Sequence, residues 1–255
     1  MEWWQVLLIV VGGLLLLFIL SIFFYKPFFK RFWDIILSLL ALIVFSPLFL
    51  ALTIIGAIAM KGNPFFVQKR PGKINKKTGK EKIFQLIKFR TMSNARDKNG
   101  NLLPDEERLN NYGKFLRSTS LDEFPEALNI LFGQMSIIGP RPQLIRDLVF
   151  MNDEQRQRHV IRPGLSGLAQ VNGRNNITWE QKFKYDLQYV SHVSIWKDVE
   201  LIFKTIGKTV KRSDVAREGT ESDINYGDWL LQEGKISIDQ YNKNQSKANE
   251  ILARY

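Results

Sequence analysis

From Trp3 to Tyr25 no side chain carries a charge, and a helix of this length reaches across the roughly 30 Å hydrocarbon core of a bilayer. The run therefore predicts a transmembrane helix. A cleaved signal peptide is the competing reading, but the run is longer than the usual apolar region of such a peptide. No basic segment precedes it, and a second apolar stretch follows directly.

The basic cluster Lys26, Lys30 and Arg31 belongs in the cytoplasm by the positive-inside tendency, which leaves the N-terminus outside. The second apolar run, Ile35 to Met60, then starts from the cytoplasmic side. A complete crossing would carry Lys61, Lys69, Arg70, Lys73, Lys76 and Lys77 to the wrong face. Ser46-Pro47 sits near the middle of this run, where proline removes a backbone donor and clashes with the preceding turn, so a kink is expected. A bent helix can re-enter and return, with the carbonyls freed at the break satisfied by Ser46 or nearby protein groups. An ordinary kinked spanning helix is the alternative.

Composition narrows the chemistry. The 255 residues are 45% hydrophobic, enough for a core, and include no cysteine, which excludes disulfides, thiolate nucleophiles, Cys-ligated zinc and iron–sulfur clusters. His159 and His192, the only histidines, stand far apart, so a metal would be a hard ion held by carboxylates, phosphates and water, with Mg²⁺ the natural choice. Net charge is +11, and residues 61–121 hold 15 Lys/Arg against 5 Asp/Glu. An anionic partner follows: nucleic acid, a phosphorylated metabolite or an anionic membrane face.

Beyond Lys61 the sequence reads as mixed α/β, mostly helical, with short elements. Phe65 to Val67 and Ile83 to Ile87 resemble strands, Pro71-Gly72 and Lys76 to Lys80 turn material, and Asn94 to Pro104 a loop. A helix is predicted from about Glu123 to Leu131, ended by Gly133. Gly139-Pro140-Arg141-Pro142 excludes regular structure and gives Arg141 a stiff presentation. Gly164, Gly167 and Gly173 mark either a backbone path that approaches a ligand or structural turns. Val199, Ile202, Phe203, Ile206 and Val210 share one helical face against Lys204, Lys208, Lys211 and Arg212, the pattern of a helix on a membrane surface or against the core. From about Val215 the chain is polar, with an amphipathic helix around Ile238 to Leu252.

The stretch Arg117 to Pro125 places two adjacent carboxylates, Asp122 and Glu123, at a predicted helix start. Asp122 as N-cap, or Ser120 with Glu123 as a capping box, would put both at the positive end of the helix dipole, which favours ionised carboxylates and accepts phosphate. For an arbitrary segment of this kind, simple capping is the bland explanation.

The ordered motifs change that balance. Lys30-Arg31-Phe32-Trp33-Asp34, Ser46-Pro47, Gln68 to Gly72, Lys88 to Met92, Thr119 to Glu123, Gly139 to Pro142 and Arg162 to Gly167 together resemble the small monotopic phosphoglycosyl transferases, the bacterial sugar transferases that begin glycoconjugate assembly. The resemblance covers about Lys30 to Arg212. It implies a re-entrant membrane helix broken at Ser46-Pro47 and transfer of a sugar 1-phosphate from a UDP-sugar to undecaprenyl phosphate with release of UMP. It further implies a covalent phosphosugar on Asp122, Glu123 as proton acceptor, and Mg²⁺ with Asp122 as its ligand. Arg117 and Arg141 are the first candidates for phosphate, then Lys88 and Arg90, then Arg162 and Arg174.

The organisation expected is a transmembrane helix over 1–29, a transferase domain over 30–213 with its re-entrant helix at 30–61, and an extension over 214–255. The expected place is the bacterial inner membrane, among membrane lipids, with the catalytic domain on the cytoplasmic face. Either extension could serve a homo-oligomer. A membrane-anchored nucleic-acid-binding module explains the basic block but not the carboxylates, and no nucleic-acid-binding motif is present, so no nucleic-acid partner is expected. A non-catalytic scaffold on the same fold is opposed by the intact Asp122-Glu123 pair.

Overall fold

The computed structural model describes residues 2–173, 177–211 and 224–255. Helix α1 (Trp3–Phe23) buries Ser21 alone and exposes its apolar side chains all round, as a lipid-facing helix does. At 1.5 Å per residue it is about 31 Å long, sufficient for a bilayer core. A π-helical turn (Tyr25–Phe29) leads into α2 (Lys30–Val44), and α3 (Ser46–Ala59) follows at an angle of 66°.

The bend has a local cause. Pro47, in the first turn of α3, lacks the N–H that would bond the carbonyl of Ile43 four residues back. Ser46 Oγ donates to that carbonyl instead, at 2.8 Å. Burial in α2 is inverted relative to a water-soluble helix: Lys30, Asp34 and Ser38, four residues apart on one face, are the buried positions. Ile36, Leu40 and Ile43 are exposed.

That end of α2 is tied to the rest of the fold by polar contacts. Arg31 donates to the carbonyls of Ile130 (2.5 Å) and Leu131 (2.8 Å), and Asp34 Oδ1 accepts from Ser136 Oγ (3.0 Å) and Ile137 N–H (2.9 Å). Lys30 Nζ lies 2.5 Å from Asp198 Oδ2, and Asp198 also accepts from Tyr25 and Tyr189, each at 2.6 Å.

Strands β1 (Phe65–Ile74) and β2 (Glu81–Phe89) form an antiparallel hairpin with Phe65 opposite Phe89 and Val67 opposite Ile87. Both run longer than the sequence pattern predicts. Pro71-Gly72, expected as a turn, lies within β1 where the register slips before Ile74. A bulge accommodates proline because it releases the strand from the ladder at that point. Lys76 to Lys80 make the turn.

Two short helices follow, α4 (Asp105–Arg108) and α5 (Asn111–Thr119), then a 3-10 turn (Leu121–Glu123) and α6 (Glu126–Leu131). Gly133, at φ +80°, ends α6 as predicted. Strand β3 (Ser136–Ile138) pairs in parallel with β4 (Gly164–Ser166), and between them lie α7 (Ile145–Leu148) and α8 (Asp153–Arg156). The glycines of this region serve backbone packing: a Cβ on Gly164 would stand 2.1 Å from Gly139 N, and one on Gly167 2.2 Å from Gly139 O.

Helices α9 (Leu168–Val171), α10 (Trp179–Ser191), α11 (Ile195–Lys211), α12 (Tyr226–Gln232) and α13 (Ile238–Arg254) complete the molecule. Among the described residues the architecture is mostly helical with two small sheets. Helix α11 buries Asp198 and Leu201 and exposes Trp196, Val199, Phe203 and Ile206. Trp196 meets Phe18 of α1 edge-on, centroids 6.2 Å apart. Tyr226, Trp229 and Leu230 of α12 share an apolar cluster with Trp179 and Phe183, so the polar C-terminal segment is anchored by aromatic burial.

Candidate active site

The α6 helix begins three residues later than the sequence pattern predicts, so Asp122 and Glu123 lie in the 3-10 turn before it. Asp122 is not its N-cap. Pro125 holds that position, and no side chain caps the helix. Ser120, the other capping candidate, ends α5 in the left-handed conformation at φ +56°. This reversal turns the chain so that the next two carboxylates face β2.

Phe84, Leu86 and Lys88 point to one face of β2 by its two-residue period. Phe84 and Leu86 pack on Ile130 and Met135, and Lys88 extends the same row over the carboxylate turn. Its ammonium lies 2.9 Å from Glu123 Oε1, 3.1 Å from Glu126 Oε1 and 4.0 Å from Asp122 Oδ2. Arg141 closes the other side, with Nη2 2.5 Å from Glu123 Oε1.

The two neighbouring carboxylates are thus treated differently. Burial alone would raise the pKa of Glu123, but Arg141 and Lys88 together hold it well below the usual carboxylate range. Asp122 accepts no side-chain hydrogen bond among the described residues, and its pKa is raised, first by burial and then by the charge of Glu123. The lowering of the pKa that a helix dipole would bring, the sequence expectation, is therefore not found at Asp122. Burial outweighs the field of a six-residue helix whose first turn starts beyond the carboxylate.

Glu126 has no counterpart in the sequence reading. It is 1% exposed, and burial followed by the charge of Glu123 pushes its pKa up to about 7. An acid three residues after Glu123, beside Ala127 and Ile130 on the inner face of the helix, was the available signal.

The remaining predicted phosphate ligands scatter. Arg117 is exposed and its Nε donates to Thr91 Oγ1 at 3.1 Å. Arg90 bonds Pro64 O through its backbone N–H, and its side chain makes no ion pair among the described residues. Arg162 donates to Gly133 O at 2.9 Å, joining Arg31 at the C-terminal end of α6, away from the carboxylates. A cation is favourable there because the last carbonyls of a helix lack partners. Arg174 lies outside the described residues.

Beside the carboxylate turn a cavity of about 500 Å³ opens, floored by Leu37, Ala41, Phe45 and Leu48 at the bend of α2 and α3. Ile202 and Ile206 of α11 form the far wall, and Glu123 and Arg141 stand in the lining. Gln170, also in the lining, leaves both amide atoms without a hydrogen-bond partner among the described residues. The cavity is thus mostly apolar, with Glu123, Arg141 and Lys208 as the charged residues of its lining.

No three acidic or histidine side chains among the described residues converge as a dedicated metal cage. Asp122, with free lone pairs, fits the way Mg²⁺ is commonly held, by one or two carboxylates with phosphate and water as the other ligands.

Comparison with known proteins places these features in context. Residues 25–212 match the family model described as bacterial sugar transferase. A sugar transferase of Bacillus subtilis, EpsL, is 40% identical over 181 residues, covering 71% of this chain and 87% of its own length. The UDP-glucose:undecaprenyl-phosphate glucose-1-phosphate transferase of Klebsiella pneumoniae is 39% identical over 192 residues, 71% of this chain and 40% of its own. The undecaprenyl-phosphate galactose phosphotransferase of Salmonella typhimurium is 32% identical over 74% of this chain and 42% of its own. This chain therefore spans less than half the length of the latter two.

Proposed function

We propose that this chain, which belongs to the bacterial sugar transferase family, moves a sugar 1-phosphate from a UDP-sugar to undecaprenyl phosphate. The observation that carries the proposal is the unequal carboxylate pair: Lys88 stands 4.0 Å from Asp122, while Glu123 bonds both Lys88 and Arg141 and lines a mostly apolar cavity together with Arg141.

In this reading an Asp122 oxygen attacks the phosphorus next to the sugar. The new O–P bond forms as the bond to UMP breaks, and UMP leaves with the electron pair. An oxygen of the acceptor phosphate then attacks the same phosphorus, releasing Asp122 and giving the undecaprenyl diphosphate sugar. Arg141 stands 40% exposed and offers further guanidinium donors to phosphate oxygens. With both cations on it, Glu123 is a weak base. Phosphates that draw Arg141 and Lys88 away would restore its basicity, so that it can take the acceptor's proton. Bound through Asp122 and the donor's phosphates, Mg²⁺ would neutralise part of the phosphate charge.

The apolar cavity suits the first isoprene units of the acceptor, since Glu123 and Arg141 share its lining with Leu37, Phe45 and Leu48 from the exposed apolar flank of α2 and α3. The same reading has α1 crossing the inner membrane, α2 and α3 entering and returning, and the apolar face of α11 resting on the cytoplasmic leaflet. Because the chain has no cysteine, single cysteines at Glu2 and Gly62 report topology directly. Impermeant reagent added to intact cells should label position 2 and not position 62. Labelling of both would overturn the re-entrant arrangement.

The deciding experiment is UMP release by the purified protein with Mg²⁺, undecaprenyl phosphate and a panel of UDP-sugars. Turnover with one donor, dependent on the carrier and lost in Asp122→Asn, is the expected result. Equal UMP release by the folded variant would overturn the assignment.

A further inference from the structure

Arg141 reaches Glu123 from a loop that can scarcely hold itself. Pro140 and Pro142 lack N–H groups, so the loop must be fixed through its carbonyls. Each of the three in succession is bonded from outside. Pro140 O accepts Gly164 N–H at 3.0 Å, Arg141 O accepts Arg158 Nη2 at 2.7 Å, and Pro142 O accepts Arg70 Nη1 at 3.1 Å.

Arg158 stands apart from the other two donors. Its side chain is 1% exposed, as is that of its partner Asp186 on α10. Arg158 Nε and Nη2 both donate to Asp186 Oδ2, at 2.9 and 2.6 Å. Arg158 Nη1 and Asp186 Oδ1, both buried, have no hydrogen-bond partner among the described residues. An ion pair buried with a donor and an acceptor unsatisfied is a poor source of stability, and apolar side chains of similar volume often serve as well or better. Among the described residues its only hydrogen bond outside the pair goes to the carbonyl of Arg141.

We propose that Arg158 and Asp186 are positioning residues for the transfer reaction, fixing the Arg141 peptide so that its guanidinium is presented to the incoming phosphate. This rests on the reading of Asp122 and Glu123 as the phosphoryl site. A displacement of about 1 Å at a group that stabilises a transition state can cost on the order of 10²-fold in rate, so a rigid backbone clamp is worth an expensive buried pair.

The test is the double variant R158M/D186L in the full chain, in nanodiscs. Its melting temperature should be unchanged or higher. Hydrogen exchange in the peptide spanning Gly139 to Leu144 should be about tenfold faster or more. The kcat for UMP release should fall by about tenfold or more, with KM for the donor changed by less than about threefold. Arg158→Lys, which keeps the charge but has no fork to bridge Asp186 and the carbonyl, should lose kcat likewise, and it decides the matter should the double variant fail to fold. A folded double variant, or Arg158→Lys, with kcat within about twofold of the parent overturns the proposal. Asp122→Asn is measured alongside: if it still releases UMP, the reading of the site falls and the proposal with it. Loss in Asp122→Asn with an unaffected clamp variant removes the clamp alone.

Discussion

Two buried clusters in this molecule each set a lysine against acidic side chains, and they differ in how fully the carboxylate is bonded. At the foot of α2, Asp198 receives Lys30, Tyr25 and Tyr189, so both its oxygens are bonded. In the turn before α6, Lys88 is shared among Asp122, Glu123 and Glu126, and Asp122 is left 4.0 Å away. A carboxylate with both oxygens bonded is a fastener. One held near cations but bonded to none keeps a lone pair for an electrophile, and the difference lies in partner count rather than in residue type.

The largest effect expected from breaking this contrast is on Asp122. Asp122→Asn should lower UMP release by about 10³-fold or more while leaving the melting temperature within the error of the parent. Asp198→Ala should do the reverse. Stranding Lys30 without its partner should cost about 3–5 kcal/mol of stability, read from thermal unfolding in detergent, with turnover per folded molecule retained.

Lys88→Met falls between the two. It removes the charge that offsets three carboxylates, and UMP release should drop by about 10²-fold. Lys88 lowers the pKa of Asp122, so its loss should also move the acid limb of the rate profile to higher pH, because activity requires Asp122 ionised. An unmoved acid limb would separate Asp122 from the group that limits the rate.

The smallest effect belongs to Glu126. Its pKa is raised to about 7 in the folded chain, so the native state binds the proton that the unfolded state has already released. Stability from this group is fully present below the ordinary glutamate range and is lost as pH rises through about 7. Glu126→Gln should therefore raise stability at pH 8 by on the order of 1 kcal/mol and leave it unchanged at pH 5. Equal melting shifts at both pH values would show that packing, not charge, sets the difference.

Much of the frame was legible along the chain because its causes are local. An uncharged run makes α1, proline with its preceding serine makes the bend at Phe45, and Gly133 ends α6. Prolines on both sides of Arg141 keep its loop irregular. Local signals also misled. Pro71-Gly72 reads as a turn but is absorbed by a strand bulge. Turn chemistry describes what a backbone tolerates, and only its neighbours decide what it does.

The sequence by itself determined where the chain is apolar, where it bends, which carboxylates adjoin and where the basic residues concentrate. Each of these depends on residues within a few positions of one another. Only the tertiary structure decided which carboxylate is neutralised. Lys88 is 35 residues from Glu123, Arg141 is 18 from it, and Lys30 is 168 from Asp198. Electrostatic energy depends on separation in space and on burial, neither of which spacing along the chain supplies. Two acids adjacent in sequence therefore acquire opposite pKa shifts once folding bonds Glu123 to both Lys88 and Arg141 and leaves Asp122 4.0 Å from Lys88, where the cations offset burial only in part.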